Sequence, residues 1–332
     1  MTVPIITFFN NKGGVGKTSM AYHLAWMFCD LGLAVIAADL DPQGNLTAAF
    51  LGEERLEELR SDGGKVRTIF DAIRPLKVGA GDIAEPHVEA VNERLGLILG
   101  DLELSTFEDD LSEAWPKCLS GDERAFRITS AFWRIIQNAA RARSADMALI
   151  DLGPNLGAIN RVALIASDFV VIPLGPDLFS LQGLENLGPA LRRWRTGWHK
   201  RLGENPPKEI ELPVEEIKPI GYVVLRHSIR LDRPVKAFDR WIARIPATYA
   251  NAVLGQPNGD TITIDNDPNC IAKLRDYRSL MPLAHEARKP MFFLKPADGA
   301  LGAHMSAVLD ARRDFKLIAQ KILAATGIKL HD

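Results

Sequence analysis

The sequence predicts an α/β fold: a doubly wound, mostly parallel sheet with helices on both faces. Short apolar runs alternate with stretches of helical periodicity along most of the chain, which is typical of parallel strands buried on both faces. Polar, turn-rich segments follow several of these runs. In such sheets, ligands bind at the carboxyl ends of the strands, where these segments would lie. The 332 residues, 47% of them hydrophobic, can form one large or two smaller cores. We expect a single domain over residues 1–332.

Each element is assigned from its local pattern. The first helix, residues 18–31, places Met20, Leu24, Met27, Phe28 and Leu31 on one face and ends before Gly32. Two further helices are predicted over residues 125–142 and 181–198. The predicted strands are residues 4–9, 34–38, 95–99, 147–150, 169–172 and 220–225.

Composition excludes several classes of protein. The 40 Lys and Arg residues nearly balance the 42 Asp and Glu residues, so only a local basic patch could bind nucleic acid. Cys29, Cys118 and Cys270 are far apart, which argues against a disulfide scaffold or a metal centre built within one chain. There is no leader-like segment and no apolar stretch of membrane-spanning length, so we expect a cytoplasmic protein.

The segment NNKGGVGKTS, residues 10–19, resembles a phosphate-binding loop but has Asn11 where the G-x-x-x-x-G-K-[ST] pattern has glycine. It also contains an additional lysine, Lys12. The segment joins a predicted strand to a predicted helix, so its backbone N–H groups and the helix dipole can bind phosphate. Lys17 can reach the β- and γ-phosphates, and Thr18 can ligate Mg²⁺. The predicted nucleotide-binding residues are Gly13, Gly14, Val15, Gly16, Lys17, Thr18 and Ser19.

Carboxylates follow two other predicted strands. Asp151 ends the apolar run MALID, a position from which an aspartate can hold Mg²⁺ directly or through water. Asp39 and Asp41 lie in AADLDPQGN, where Asp41 could orient an attacking water and Asp39 could support the loop or the Mg²⁺ shell. Asp-Pro and Gly-Asn are also ordinary turn signals. The predicted metal set is Thr18, Asp39 and Asp151.

Four segments, taken in order, resemble the ParA family of the ParA/MinD ATPases: NNKGGVGKTS, DLDPQGN, MALIDLGPNLG and VVIPLGPDLFSLQGL. The family has a deviant Walker A motif, KGGVGKT, whose first lysine reaches the phosphates of the partner in an ATP-bound dimer. The resemblance therefore implies ATP and Mg²⁺ as cofactors and a homodimer with two sandwiched nucleotides. It assigns catalytic roles to Lys12 in trans, Lys17 in cis and Asp41 at the hydrolytic water.

The chain departs from the family pattern in several places. The family commonly has D-x-P-P after the second carboxylate strand, whereas this chain has Asp151-Leu-Gly-Pro154. Residues 53–122 are predicted to form a loop-and-helix excursion, and residues 245–290 diverge from the family. The sequence starts at the first strand, without the helix-turn-helix domain of longer members, so operator binding is not expected.

The resemblance also implies non-specific binding to double-stranded DNA. The stretch RHSIRLDRPVKAFDRWIAR carries basic residues at helical spacing, which would neutralise phosphates and give salt-sensitive binding. A solvated helix face remains the other interpretation. The candidate DNA contacts are Arg230, Arg233, Lys236 and Arg240.

The expected function is a ParA-like ATPase that dimerises on ATP, binds DNA and releases it after slow hydrolysis stimulated by an adaptor protein. It would act in DNA partition or cargo positioning and associate with the nucleoid when ATP-bound. The alternative is a MinD-like or other dimeric switch acting on a protein or membrane partner without binding DNA. A membrane partner is not expected, because the last helix has an ordinary core stripe closed by Gly327. The stripe consists of Phe315, Ile318, Ala319, Ile322 and Ala325.

Overall fold

The computed structural model describes residues 2–61, 67–225, 240–256, 262–277 and 279–330. Within these ranges an eight-stranded sheet has the order β3-β4-β2-β5-β1-β6-β7-β8. All neighbouring strands are parallel except β3 and β4, which confirms the predicted fold class. The strands are β1 (Ile5–Phe8), β2 (Val35–Asp39), β3 (Glu89–Ala90), β4 (Leu95–Ile98), β5 (Met147–Asp151), β6 (Phe169–Leu174), β7 (Lys218–Leu225) and β8 (Cys270–Leu274).

Helices connect the strands and cover both faces of the sheet. They are α1 (Lys17–Asp30), α2 (Asn45–Ser61), α3 (Ile69–Lys77), α4 (Glu108–Lys117), α5 (Glu123–Thr129), α6 (Ala131–Ala142), α7 (Ala158–Ile165), α8 (Leu178–Leu202), α9 (Ile245–Thr248), α10 (Met281–Ala287) and α11 (Ala303–Thr326). A π-helical turn, Tyr249–Leu254, continues α9.

Two hydrophobic cores lie on opposite faces of the sheet. Successive strand residues point to opposite sides, so Ile5 belongs to one core and Ile6 to the other. Helices α3 to α8 pack on the first face, and α1, α10 and α11 pack on the second. Every residue of β1, β2, β4 and β5 is buried, as expected for strands covered on both faces.

Several elements differ from the sequence-based assignment. Strands β3 and β8 were not predicted, because the first has only two residues and the second is an edge strand that is only half-buried. The stretch 125–142 forms two helices rather than one, since the backbone leaves helical geometry at Ser130 (φ −94°, ψ 0°). Residues 53–122 contribute β3 and β4 to the sheet in addition to helices.

The last helix, α11, has most of the predicted core stripe. Phe315, Ile318, Ala319 and Ile322 are buried against the sheet. The prediction is wrong for Ala325, which is exposed because the buried face of the helix ends two residues earlier, at Leu323. Gly327 follows the helix with φ 73°, the left-handed conformation of a glycine C-cap. None of the described helices is long and apolar enough to cross a membrane.

Candidate nucleotide-binding site

The loop between β1 and α1 has the backbone of a phosphate cradle. Gly14 and Gly16 have φ values of 71° and 76°, which other residues rarely adopt. A Cβ on Gly16 would lie 2.6 Å from Cδ1 of Leu225, so bulk is excluded there as well. Gly16 is the N-cap of α1 and no side chain caps the helix within the described residues. The first N–H groups of α1 are therefore available to an anion.

The asparagines at the start of the loop explain how it departs from the usual pattern. Asn11 does not have positive φ, so this position does not need the glycine of the standard motif. Asn10 is fully buried and fixes the loop: its Nδ2 donates to the carbonyl of Pro173 (2.8 Å), and its Oδ1 accepts from the backbone N–H of Lys12 (2.9 Å). Sequence reasoning did not identify Asn10, whose only signal is its position at the end of a buried strand.

Lys17 lies buried at the mouth of the loop. Its Nζ donates to the carbonyl of Lys12 at 3.2 Å, across the space that the loop encloses. Burial lowers the pKa of Lys17, and the charges of Asp151 and Asp41 oppose this shift. Lys17 thus stands between the loop and the carboxylates at the tips of β2 and β5, where phosphates would need a cation.

The additional lysine is held within its own chain. Lys12 Nζ lies 2.5 Å from Oδ2 of Asp177, and both side chains are partly exposed. Asp177 is also the N-cap of α8, because its Oδ1 accepts from the N–H of Ser180 at 3.0 Å. Although partial burial acts to raise the pKa of Asp177, the hydrogen bonds from Lys12 and Ser180 lower it overall. The exposed ring of Phe179 lies 6.0 Å from Lys12 Nζ.

Asp39 and Asp151 are register partners at the tips of β2 and β5, and both are completely buried. The carboxylate of Asp39 is satisfied by its own loop. Its Oδ2 accepts from the N–H and the hydroxyl of Thr47 (2.7 and 2.8 Å), and its Oδ1 accepts from the N–H of Asp41 (3.3 Å). Burial raises the pKa of Asp39 to about 6, against the effect of Thr47. Of its two predicted roles, this geometry favours loop support.

Asp151 lacks such support. Neither of its carboxylate oxygens has a hydrogen-bond partner among the described residues, although Thr18 is close enough to act against the rise in its pKa. Burial and the charge of Asp39 raise the pKa of Asp151 to about 8. A buried carboxylate without a partner, close to a hydroxyl, fits a site for Mg²⁺.

Mg²⁺ would be held there by Thr18 and Asp151 and would neutralise the oxygens of a bound triphosphate. No group of three or more His, Cys, Asp or Glu side chains in the described ranges is arranged to hold a metal ion. Mg²⁺ commonly binds through one or two protein ligands plus phosphate oxygens and water.

Asp41 lies between the tip of β2 and the loop after β5. Its side chain is buried, and its Oδ1 accepts from the N–H of Gln43 at 3.1 Å. A Cβ on Gly153 would lie only 3.2 Å from that same oxygen. The glycine that replaces the family's usual proline therefore leaves room for Asp41.

A cavity of about 240 Å³ opens beside the start of α1. Gly14, Gly16 and Ser19 line it on the loop side, and Leu225, Tyr277 and Met281 line it on the other. Sequence reasoning did not identify these last three residues, because Tyr277 and Met281 lie in the family-divergent region and carry no motif.

The structure tests little of the predicted DNA surface. Arg230, Arg233 and Lys236 lie outside the described residues. Arg240 is exposed, and its guanidinium lies 5.3 Å from the ring centroid of Trp241.

Three features together define a P-loop nucleotide site: a glycine loop that joins a parallel strand to a helix, a buried lysine, and a buried strand-tip carboxylate that has no hydrogen-bond partner in the part of the chain that the structure describes. The AAA_31 family model, described as an AAA domain, matches residues 3–203. The chain belongs to this family and, within it, to the ParA family of the ParA/MinD P-loop ATPases.

Known relatives align with large parts of the chain. An uncharacterized protein of Methanocaldococcus jannaschii, MJECL24, is 27% identical over 76% of this chain and 96% of its own length. The chromosome partitioning protein ParA of Caulobacter vibrioides is 29% identical over 60% of this chain. That alignment spans 66% of the Caulobacter protein, and the alignment with Bacillus subtilis Soj spans 62% of Soj.

Two solved structures share the fold over nearly the whole chain. Protein DIP2308 of Corynebacterium diphtheriae has a TM-score of 0.72 at 22% identity, covering 98% of this chain and 99% of its own. A plasmid partition protein from Borrelia burgdorferi, bound to AMPPNP, has a TM-score of 0.56 at 18% identity, with coverage of 98% and 99%. At these identities the likeness supports the fold.

Proposed function

We propose that this chain is a Mg²⁺-dependent ATPase that works as a partition or positioning switch. The observation that carries the proposal is the buried carboxylate of Asp151, whose oxygens have no hydrogen-bond partner among the described residues and which lies near Thr18 at the phosphate loop. In this proposal Thr18 and Asp151 hold Mg²⁺, Lys17 binds the β- and γ-phosphates, and Asp41 orients the attacking water. The base would enter the cavity beside Ser19.

Lys12 is the proposed link between nucleotide and dimer. In a single chain its ammonium is paired with Asp177 at the surface. We propose that ATP draws two copies together and that each Lys12 leaves Asp177 for the phosphates of the partner's nucleotide. Hydrolysis removes the γ-phosphate that this lysine contacts, so the dimer separates.

The ATP-bound dimer is proposed to bind double-stranded DNA without sequence preference through Arg230, Arg233, Lys236 and Arg240. An adaptor protein would stimulate slow hydrolysis and so release the DNA. This cycle gives a cytoplasmic protein that associates with the nucleoid while ATP is bound. The names of the relatives from Caulobacter and Borrelia, a chromosome and a plasmid partition protein, support this assignment of process.

We also propose that the chain is one domain. Its sheet uses residues from Ile5 to Leu274, and α11 packs on the same core as α1. One cooperative unfolding transition, followed by two optical probes, is the expected result.

The site is tested by comparing Lys12→Ala and Asp41→Ala with the unmodified protein. Lys12→Ala should bind nucleotide but elute as a monomer with ATP·Mg²⁺ in size-exclusion chromatography, because it lacks the trans contact. Asp41→Ala should remain dimeric with ATP and lose turnover. If Lys12→Ala still dimerised on ATP, Lys12 would not make the proposed contact with the partner's phosphates. If Asp41→Ala had normal turnover, Asp41 would not be needed to orient the attacking water.

DNA binding separates the two candidate functions. Binding to random-sequence duplex is measured with ATP, ADP or no nucleotide at two salt concentrations. Binding that requires ATP and weakens with salt supports the partition switch. Dimers that form with ATP but do not bind DNA would instead support the alternative, a switch that acts on a protein or membrane partner.

A further inference from the structure

The loop after β5 is held by a residue that lies far away in the sequence. Helix α7 begins after Gly157, an N-cap without a side chain to accept from the first helical N–H groups. Glu108, the first residue of α4, supplies this acceptor: its two carboxylate oxygens accept from the N–H groups of Ala158 and Ile159, the latter at 2.9 Å. Carboxylates at helix N-termini make strong, charge-assisted hydrogen bonds.

The local sequence is fitted to this contact. A Cβ on Gly157 would lie 2.6 Å from Oε1 of Glu108, so a side chain at this position would push the carboxylate away from its place at the end of the helix. Arg161, one turn into α7, reaches back to α4 and donates to the carbonyl of Leu111 at 3.3 Å. The charge of Glu108 acts to raise the pKa of Arg161, although burial lowers it overall. The two helices are therefore tied in both directions.

The same turn of α7 holds the loop that faces the proposed catalytic carboxylate. Asn160 Nδ2 donates to the carbonyls of Gly153 (2.8 Å) and Asn155 (2.7 Å). Gly153 in turn lies against Asp41, since a Cβ at this position would be only 3.2 Å from Oδ1 of Asp41, which is closer than an ordinary van der Waals contact. A chain of contacts thus runs from Glu108 through the start of α7 to Asp41.

We propose that Glu108 is a positioning residue: it sets the loop at residues 153–157 against Asp41, so that turnover depends on it and nucleotide binding does not. The inference rests on the proposed ATPase function. Displacement of this loop by about 1 Å would misplace Asp41 and its water, which is enough to slow a reaction that depends on orientation.

The test compares Glu108→Ala and Glu108→Gln with Glu113→Ala, a matched control on the exposed face of the same helix, where Glu113 pairs with Lys117. Glu108→Ala should lower kcat by about tenfold, while the Kd of a fluorescent ATP analogue stays within about twofold. The kcat of Glu108→Gln should lie between those of Glu108→Ala and the unmodified protein. Its amide oxygen can accept from one N–H group, but its NH₂ group cannot accept from the other. Glu113→Ala should match the unmodified protein.

Amide hydrogen exchange at residues 153–161 gives a readout that is independent of catalysis. Exchange should accelerate in both Glu108 variants and not in Glu113→Ala. A kcat within about twofold of normal in Glu108→Ala, or equal losses of kcat and affinity together with a lower Tm, would overturn the proposal. If the unmodified protein hydrolyses no ATP, the proposed function fails, and unchanged exchange would separately refute the role of Glu108.

Discussion

The tips of β2 and β5 lie side by side and end in aspartates that are equally buried but differently supported. Asp39 accepts three hydrogen bonds, whereas neither carboxylate oxygen of Asp151 has a partner among the residues described. A buried carboxylate whose oxygens all accept hydrogen bonds stabilises its loop. A buried carboxylate without hydrogen-bond partners destabilises the protein unless a cation binds to it. The partners of a buried acid, more than its burial, therefore indicate whether it binds a ligand.

The difference comes from the chain that follows each strand. After Asp39 the backbone turns back at Gly44, and the start of α2 brings Thr47 onto the carboxylate. After Asp151 the chain leads away through Gly153 toward α7, and the groups that oppose the rise in the pKa of Asp151 are Thr18 and Lys17, at the start of α1.

The largest expected effect is that of Asp151→Asn on catalysis. An amide is a poor ligand for Mg²⁺, so turnover should fall by about 100-fold or more, and nucleotide binding should lose its dependence on Mg²⁺. Steady-state hydrolysis and a Mg²⁺ titration of nucleotide affinity measure both effects. Asp39→Asn serves as the comparison, and Mg²⁺ dependence retained in Asp151→Asn would contradict the assignment.

Asp39→Ala should act on stability instead. The N–H and hydroxyl of Thr47 would lose a buried acceptor, so the free energy of unfolding should fall by about 1–3 kcal/mol. Urea denaturation measures the change. If this variant lost Mg²⁺-dependent binding with unchanged stability, the roles of the two strand tips would be reversed.

The pH dependence of stability should distinguish the same pair. A carboxyl whose pKa is raised by folding keeps a proton that the unfolded chain releases, so stability falls as pH rises from about 4 to the folded pKa. The fall continues to about pH 8 for Asp151 but only to about pH 6 for Asp39. In EDTA, Asp151→Asn should therefore gain Tm relative to the unmodified protein between pH 6 and 8. A difference in Tm that does not change over this range would contradict the shift.

The smallest expected effect concerns Thr47. Its hydroxyl donates to Asp39 and accepts from the N–H of Gly100 at 2.8 Å. Thr47→Val loses both bonds and should cost about 1–2 kcal/mol of unfolding free energy, whereas Thr47→Ser keeps the hydroxyl and should cost less. Equal losses in the two variants would mean that packing of the methyl group, rather than the hydroxyl, stabilises this turn.

Local patterns predicted the sheet and the phosphate loop, because apolar runs and glycine spacing are properties of short segments. They could not separate Asp39 from Asp151, since both end apolar runs and the distinction lies in Thr47, eight residues after the first. The role of Glu108 could not be predicted for a similar reason, because the helix whose N–H groups it binds begins fifty residues later in the sequence. Strand β8 and the cavity beside Ser19 depend on tertiary contacts of a region without motifs.

Because Lys12 is paired with Asp177, the carboxylate competes with the partner's nucleotide for this lysine. An intramolecular ligand acts at a high effective concentration that dilution does not change. In the proposed cycle, a second copy must displace this ligand on both sides, which raises the protein concentration at which dimers form. The strength of the ion pair between Lys12 and the N-cap of α8 would therefore help to set the protein concentration at which ATP causes dimerisation.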